Sequence, residues 1–392
     1  MAVNLQNADN ALKSVYLDVI SEKLNKNLSP FFSAIKMSTE DVWGKEVRKT
    51  AIHGINGGIG AGTEDGDLPA AYGNNYGQFV TTLKNLYGVI EISDKAIRAS
   101  ENNSGAFVNL LNAEMEGLIN ASTFNFGRML FGDGSGIVGS VLNIVDGKII
   151  LNSLRNVVEG MVIDFRTPEG NIISGCGGRR ITAIKRDDTW MYVDGEEPTL
   201  VKIPKGTIVT VQGSYGNELT GLGALFDAES TTLYGMNKSG NSFLSPYRKD
   251  NVGSFSEMTM QIALDTIEAA SGNAVNLILC SWGVRRAILM HYMDKNRTMP
   301  MMELAGGFKA VSFNGIPIVA ERFCPEGTMY LLNTNDFTLH QLCDWQWLSD
   351  DDGRVLKQVP GKPVYTATLV KYADLICSHP NGQGILTGII EA

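Results

Sequence analysis

Three residues in the C-terminal part of the chain have the types from which a thiol hydrolase builds its nucleophile and base. They are Cys324, His340 and Asp344, and such a set works when the imidazole takes the thiol proton and the carboxylate orients the imidazole. Cys324 is followed by proline, in a stretch typical of a strand leading into a turn, and no segment supplies an oxyanion hole. The pattern favours a small buried thiol, and a hydrolase is kept as a minor alternative.

Other chemical motifs also argue against catalysis. The four histidines occur without an H-E-x-x-H pattern or a pair at metal-ligand spacing. The acidic turn at 349–353 could bind a divalent cation, because hard cations prefer clustered carboxylates, but a solvated turn is favoured. Gly58, Gly60 and Gly62 do not lead from a strand into a helix, and no Lys-Ser or Lys-Thr follows them. We therefore predict no catalytic residues, no cofactor and no metal site.

The composition excludes several classes of protein. Charged residues make up 19% of the chain, below the ~25% of average proteins, and 43 of the 392 residues are glycine, above the average of ~7%. A net charge of −9 argues against a protein that binds nucleic acid by neutralising its phosphates. Five widely spaced cysteines without a C-x-x-C pair argue against a disulfide scaffold or a structural zinc site. Low charge and abundant glycine suit a protein that buries much surface against copies or partners.

Targeting segments are not expected. The N-terminus lacks a basic segment followed by an apolar run and a small-residue cleavage site. No stretch approaches the ~18 consecutive apolar residues of a membrane span. We therefore expect a protein that is made in a reducing cytoplasm and has no membrane partner.

The N-terminal third is predicted to contain an arm and a long loop. Residues 8–28 have helical apolar spacing and end before Pro30; this helix either docks on its own domain or packs on a neighbouring subunit. Strand-like runs at 46–53 and 78–92 flank the glycine-rich segment 54–77. A loop of this length in a compact domain is usually functional or disordered, and an extended hairpin over a neighbour would explain it.

A long helix and a β-rich segment follow. Apolar residues at steps of three and four predict one helix over 104–131. Short alternating runs from 137 to 214, with Asp146-Gly147 as a hairpin turn, predict a small β-barrel or sandwich between helical segments. Basic residues cluster in this segment directly before Asp187 and Asp188, so a solvated strand face is expected there, and these basic residues are Arg179, Arg180, Lys185 and Arg186.

The C-terminal third is predicted to be an α/β unit. Ser254 and Glu257 have the spacing of a capping box that opens a helix through Ala270. A buried strand leads to Ser281, which is expected to cap a second helix through Lys295. The Asn314-Gly315 pair predicts a type I′ hairpin. The last segment alternates like strands that close a sheet, and Trp345 and Trp347 are expected on one strand face, in the core or a subunit contact.

The order of these elements resembles that of the major capsid proteins of tailed phages with the Hong Kong 97-type fold. The most telling local piece is NGIPIV at 314–319 followed by PEGTMYLLNTNDFTLH at 325–340, which combines a tight hairpin, a glycine turn and a strand. The resemblance spans nearly the whole chain and rests on architecture, because no short invariant motif defines the family.

The resemblance implies an α+β fold of the Hong Kong 97 type with an inserted β domain. The implied segments are an N-terminal arm (1–45), an extended loop (46–92), a peripheral domain with the spine helix (93–136), the inserted small β-barrel or sandwich (137–214), a return to the peripheral domain (215–248), an axial domain (249–344) and C-terminal strands of the peripheral domain (345–392).

The resemblance also implies a structural role. The chain would be a non-enzymatic homo-oligomer that forms pentamers and hexamers in an icosahedral phage head, enclosing double-stranded DNA without sequence-specific binding. Expected partners are a portal, a separate scaffolding protein or none, since the arm starts at Met1, and a decoration protein. Assembly is expected in the host cytoplasm, and the final location is the virion. The alternatives are an encapsulin-like nanocompartment shell, whose members tend to lack so large an insertion, another virion structural protein, or a hydrolase.

Some relatives join their subunits through Lys–Asn isopeptide bonds near the extended loop. The segment 54–77 of this chain contains no lysine, although Lys45, Lys49 and Lys84 flank it. We therefore expect subunits that are not cross-linked.

Overall fold

The computed structural model describes residues 29–95, 104–195, 203–294, 301–303, 309–349 and 353–392. The α-helices and strands of these residues are, in chain order, α1 (Pro30–Ala34), β1 (Lys36–Ser38), β2 (Val42–Trp43), β3 (Glu46–His53), β4 (Asn75–Thr82), β5 (Lys84–Ser93), α2 (Ser104–Leu130), β6 (Ile137–Val145), β7 (Lys148–Leu151), β8 (Val162–Arg166), β9 (Arg179–Lys185), β10 (Trp190–Val193), β11 (Ile208–Val211), α3 (Leu222–Leu225), β12 (Thr232–Leu233), β13 (Met236–Asn237), β14 (Tyr247–Lys249), α4 (Glu257–Ser271), β15 (Leu277–Cys280), α5 (Trp282–Asp294), β16 (Met301–Glu303), β17 (Lys309–Phe313), β18 (Ile316–Ala320), β19 (Met329–Leu332), β20 (Phe337–Trp347), β21 (Lys357–Gln358), β22 (Val364–Cys377) and β23 (Gly384–Leu386). Across these described ranges, no helix combines the length and the apolar character needed to cross a bilayer.

A seven-stranded mixed sheet forms one half of the fold, in the order β14-β23-β19-β15-β18-β17-β16. Ile278 of β15 shares a buried apolar cluster with α4 and α5, which therefore lie on one face of the sheet. The neighbouring residues Leu277 and Leu279 point to the opposite face and join the main core, because successive strand side chains alternate between faces. Both faces are thus covered, which explains why β15 is a continuous apolar run rather than an alternating one.

A five-stranded sheet and the long helix α2 form the other half. β22 pairs with β20 on one side and with the full length of β5 on the other. The close approach of α2 to β5 favours glycine at position 88, since a Cβ there would lie 2.7 Å from Cδ1 of Leu118 and would force that side chain to move. Trp345 and Trp347 are both buried, and Trp345 meets the ring of Phe126 edge-on at 5.9 Å. The tryptophans therefore belong to the core beneath α2.

The β-rich segment closes into a barrel of six strands in the order β10-β7-β6-β11-β8-β9. Its turn between β6 and β7 places Asp146 and Gly147 at φ 49° and 73°, the left-handed angles that a type I′ turn requires at both positions. Ile149, Phe165 and Val209 fill the interior and are fully buried. The barrel therefore has a packed core and no internal channel through these positions.

An extended hairpin leaves the body of the molecule as a separate three-stranded sheet, in the order β2-β3-β4. We use the name extended hairpin for residues 46–82. Its two long strands pair antiparallel from Glu46 opposite Thr82 to His53 opposite Asn75. The predicted single run at 78–92 is in fact two strands, because β4 pairs within the hairpin whereas β5 pairs with β22. Leu83 separates them and is buried.

Several local predictions agree with the structure. The helix predicted over 104–131 is α2, which ends at Leu130. The Asn314-Gly315 turn joins β17 to β18 with φ angles of 52° and 80°. The N–H of Val284 donates to Oγ of Ser281 at 3.2 Å, so Ser281 caps α5 as expected. The predicted helix at 8–28 and the end of the second helix at Lys295 lie outside the described residues.

The predicted capping box is wrong. Helix α4 begins at Glu257, and Ser256, not Ser254, is its N-cap residue. A capping box needs the glutamate three residues after the N-cap, whereas Glu257 directly follows it. Ser256 has extended backbone angles, φ −141° and ψ 132°, so the helical conformation cannot begin before Glu257. The carboxylate of Glu257 lies 3.8 Å from Nε2 of His291 on α5.

A buried ion pair connects the end of α2 to the chain that leaves the barrel. Both terminal nitrogens of Arg128 donate to the carboxylate of Glu218, at 2.8 and 2.5 Å. The exposed fractions of the two side chains are 3% and 2%. Removing one partner of such a pair leaves an uncompensated charge in a low-dielectric interior.

We expect Arg128→Met to lower the free energy of unfolding by about 3–5 kcal/mol, because the carboxylate of Glu218 would be buried without its partner. Arg128→Met combined with Glu218→Met should recover at least half of that loss, since no unpaired charge remains. Denaturant unfolding of the dissociated protein measures both. Equal losses in the single and double variants would contradict the assignment.

Candidate functional site: the extended hairpin and the barrel cleft

The residues of the hypothetical thiol triad have separate partners. Cys324 is buried and its sulfur lies 3.5 Å from a backbone carbonyl of the following turn. Nδ1 of His340 lies 3.0 Å from the carbonyl oxygen of Glu40, and Asp344 accepts a hydrogen bond from Nζ of Lys371 at 2.8 Å. Burial raises the pKa of the Cys324 thiol, which disfavours the thiolate that a nucleophile needs. The geometry gives no support to a thiol hydrolase.

The described part of the chain contains no candidate metal site, because no three His, Cys, Asp or Glu side chains are grouped there to hold an ion. Residues 350–352 of the acidic turn lie outside the described ranges. Cation binding at that turn therefore stays an alternative from the sequence alone.

The two long strands of the extended hairpin, β3 and β4, are held by the body along their length, and we call them its base. The backbone N–H of Val80 donates to the carbonyl of Tyr234 at 2.9 Å, and the ring of Phe79 packs near that tyrosine with centroids 5.3 Å apart. The imidazole of His53 stacks on Phe243 at 4.1 Å with an interplanar angle of 8°. Phe79 is fully buried. These contacts fix the direction in which the hairpin leaves the molecule.

A buried carboxylate connects the same base to the five-stranded sheet. Asp374 of β22 accepts hydrogen bonds from Oγ1 of Thr81 at 2.5 Å and from the backbone N–H of Thr220 at 2.8 Å. A third comes from the N–H of Leu375 at 3.0 Å. Burial raises the pKa of Asp374 although these hydrogen bonds favour its ionised form. Asp374 is thus a junction of hairpin, sheet and the segment that follows the barrel.

The distal part of the hairpin is exposed and apolar. Ile55 and Ile59 are each 84% exposed, and Leu68 is 90% exposed. Tyr72 and Tyr76 are also exposed and lie on the returning side of the loop. Isolated exposed apolar residues are common, but several on one projecting element mark an interaction surface. The hairpin therefore combines a fixed base with an apolar end that its own body does not cover.

A second feature is a cleft between the barrel and the seven-stranded sheet, which we call the barrel cleft. Its volume is about 740 Å³. The barrel contributes Arg155 and Arg186, and the segment after β18 contributes Glu321 and Arg322. Of the predicted basic cluster, Lys185 forms an exposed ion pair with Asp188 at 2.5 Å, which fits the expected solvated face, whereas Arg186 lines the cleft.

Glu321 has an unusual environment at the bottom of this cleft. Its side chain is buried, one carboxylate oxygen accepts the backbone N–H of Arg322 at 2.9 Å, and the other has no partner among the described residues. Burial raises the pKa of Glu321 to about 7, because desolvation penalises the charged form. Glu321 therefore changes its charge near neutral pH.

The sequence carried no local signal for these sites. Arg155, Arg186 and Arg322 come from three separate parts of the chain, and Asp374 joins Thr81 across 293 positions. Only the extended hairpin could be recognised in the sequence, because a glycine-rich segment lies between two strand-like runs.

Comparisons with known proteins identify the fold. No protein-family model and no curated protein matches the chain. Among solved structures, the cyanophage A-1(L) capsid asymmetric unit is similar with a TM-score of 0.54 at 10% identity, over 95% of this chain and 93% of that chain. The holo-SrpI encapsulin complex of Synechococcus elongatus PCC 7942 has a TM-score of 0.49 at 9% identity, over 93% and 89%. The capsid of the native GTA particle has a TM-score of 0.47 at 10% identity, over 95% and 90%.

The similarity to the cyanophage capsid extends over nearly the whole of both chains. The mixed α+β architecture of this chain is therefore a phage-capsid fold, of the Hong Kong 97 type that the sequence resemblance implied. At 10% identity, this likeness concerns the fold, and the function must be argued from the surfaces described above.

The raised pKa of Glu321 leads to a pH dependence with a definite sign. Between its ordinary value of 4.5 and about 7, folded Glu321 retains a proton that the unfolded chain has lost. The free energy of unfolding should therefore fall as pH rises through this interval, by up to about 3 kcal/mol.

Urea unfolding at pH 5 and pH 8 measures this effect as the difference between wild type and Glu321→Gln. The amide variant should lose less stability over the interval, because its side chain does not ionise. Glu326→Gln, at an exposed position of the same cleft, controls for the substitution itself. An identical decline in wild type and Glu321→Gln would contradict the assignment.

Proposed function

We propose that this protein is a major capsid protein, which self-assembles through pentamers and hexamers into an icosahedral phage head enclosing double-stranded DNA. The observation that carries the proposal is the extended hairpin, whose apolar end projects from a firmly held base. Such an end is stable when another copy of the chain covers it. The phage-capsid fold of the chain supports the same conclusion.

The proposed roles of the segments follow the capsid architecture. They are an N-terminal arm (1–45), an extended loop (46–92), a peripheral domain with its spine helix (93–136), an inserted β-barrel domain (137–214), a return to the peripheral domain (215–248), an axial domain at the capsomer centre (249–344) and C-terminal peripheral strands (345–392).

The mechanism is assembly rather than catalysis. Each contact of the hairpin is modest, but a closed symmetric shell repeats it in every copy, so that the contacts act together. Glycines in the segment 54–77 allow one sequence to adapt to neighbours in slightly different positions. The net charge of −9 disfavours tight attachment of DNA to the wall, which suits a genome that must be packed and released.

The proposal includes partners and a location. A portal, a separate scaffolding protein and a decoration protein would act with the shell, which forms in the host cytoplasm and becomes part of the virion. The barrel would be exposed on the outside of the shell or would stabilise contacts between capsomers.

The direct experiment is expression of the full chain followed by sedimentation and electron microscopy. We expect capsomers or closed particles, alone or with a co-expressed scaffold. A uniform monomer under every condition would overturn the proposal. Particles filled with a cargo enzyme instead of DNA would favour a nanocompartment shell.

Deletion of residues 55–65 should leave a folded, soluble subunit that no longer forms closed shells. The deletion removes the exposed Ile55 and Ile59 but leaves the buried base of the hairpin intact. Circular dichroism measures folding, and electron microscopy measures assembly. Normal particles from this variant would refute the role of the loop.

Point variants provide a matched control for the deletion. Ile55→Asp with Ile59→Asp should also prevent closure, because charged side chains cannot be buried in an apolar contact without a large cost. Ile172→Asp, at an exposed isoleucine of the barrel, makes the same chemical change away from the hairpin and should assemble. If the Ile55→Asp, Ile59→Asp variant assembled as well as Ile172→Asp, the role of the hairpin in assembly would be contradicted.

Denaturing gels of assembled particles should show a single band near 42.5 kDa. The segment 54–77 contains no lysine to form an isopeptide bond with a neighbour. A ladder at multiples of the subunit mass would contradict this prediction.

A further inference from the structure

Four arginines line the barrel cleft. Arg286 donates to the backbone oxygen of Ala392, and we call the other three the arginine cluster. Arg155 lies between β7 and β8, Arg186 between β9 and β10, and Arg322 directly after β18. They come from separate elements of two substructures, so their meeting is a product of the fold. All three line the same cavity of about 740 Å³.

In the described part of the chain, none of the three guanidinium groups of the cluster has a carboxylate oxygen within 4 Å. Arg186 donates to the carbonyl oxygens of Leu154 and Val157 at 2.7 and 3.0 Å. Arg322 stacks over the ring of Phe124 at 4.8 Å. Nε of Arg155 is buried without a hydrogen-bond partner. Neutral groups therefore hold Arg186 and Arg322 in place, without a direct ion pair.

The electrostatics of the cleft favour an added anion. Burial, and then the neighbouring charge of Arg186, lower the pKa of Arg322, while the smaller effect of the Glu321 carboxylate raises it. Repulsion between the two guanidinium groups thus outweighs the attraction of that carboxylate. Three glutamates also line the cleft. Burial raises the pKa of Glu321 to about 7, Glu326 is exposed, and Oε1 of Glu391 accepts the N–H of Gly327 at 2.7 Å. Guanidinium forks bind carboxylates with two parallel hydrogen bonds, which gives both charge and geometry. A carboxylate-rich segment therefore fits the cluster.

The same chain contains such a segment at the tip of the extended hairpin. Glu64, Asp65 and Asp67 lie there, all exposed, and residues 54–77 include no lysine or arginine. Leu68 follows them directly and is 90% exposed. The strands contact the body as far as His53 and Gly77, and the acidic residues lie in the loop beyond that point. We call residues 64–68 the acidic tip.

We propose that the acidic tip of one copy docks in the arginine cluster of a neighbouring copy. This inference rests on the proposed self-assembly and names the surface that receives the hairpin. The carboxylates would meet the guanidinium groups of Arg155 and Arg322. Trp282 lies on the same cleft and is 57% exposed, so it offers an apolar surface to Leu68. Charge and apolar contact are thus matched on both partners.

Charge reversal on each side tests the contact in the full chain. The cluster variant carries Arg155→Glu and Arg322→Glu, and the tip variant carries Glu64→Lys, Asp65→Lys and Asp67→Lys. Each should reduce the yield of closed particles by about tenfold or more, because like charges would face each other across the contact. The combination of all five substitutions should restore most of the yield. Arg180→Glu, at an exposed arginine of the same barrel, is the matched control and should assemble normally.

A cross-linking experiment covers the case in which a reversal variant fails to fold. Asp65→Cys combined with Arg322→Cys should give disulfide-linked multimers in non-reducing gels of oxidised particles, whereas either substitution alone should not. Particles of the paired variant without such multimers would overturn the proposal.

Three further outcomes distinguish failure of the docking proposal from failure of the proposed capsid function. Wild-type assembly by both reversal variants overturns the docking site but leaves the proposed capsid function intact. A wild-type chain that stays a monomer under every condition, including co-expression with a scaffold, overturns both. Binding of a double-stranded DNA oligonucleotide to dissociated capsomers, lost in the cluster variant alone, assigns the cluster to nucleic acid and overturns docking of the tip.

Discussion

Apolar surface that the body of the chain leaves uncovered is the constraint on which this account depends. Ile55, Ile59 and Leu68 project from the extended hairpin and are almost fully exposed. Burial of such a side chain contributes about 1.5–3 kcal/mol, and one subunit leaves that free energy unused. In a shell every copy both offers a hairpin and receives one. Modest gains per contact then add up over the whole particle.

A projecting hairpin can make the same contact in every copy only if its direction relative to the body is fixed. The base of the hairpin is fixed by the stacking of His53 on Phe243 and by Asp374, which accepts from Thr81 and Thr220. The distal loop is rich in glycine and can adjust. In the proposed shell, this division would place the adaptable part at the contact with neighbouring copies and the stiff part within the subunit. The buried pair of Arg128 and Glu218 holds the barrel connection to the long helix in the same way.

Features with local causes could be predicted from the sequence, and features with distant causes could not. Helix α2 and the Asn314-Gly315 turn follow from apolar spacing and from backbone preferences of a few adjacent residues. The start of α4 was predicted two residues too early, because two serines precede it and Ser256, not Ser254, is the N-cap residue. The arginine cluster gave no signal, since its members meet only after the barrel and the seven-stranded sheet have come together. The glycine-rich loop was visible in the sequence, but the surface proposed to receive it was not.

The central claim is that a neighbouring copy completes the surface of the extended hairpin. A cryo-electron microscopy map of the assembled particle tests it most directly, because the map traces residues 54–77 relative to the subunit boundary. We predict that Ile55, Ile59 and Leu68 are buried against a second copy. A particle in which these side chains point into solvent, or fold back on their own subunit, would contradict the account.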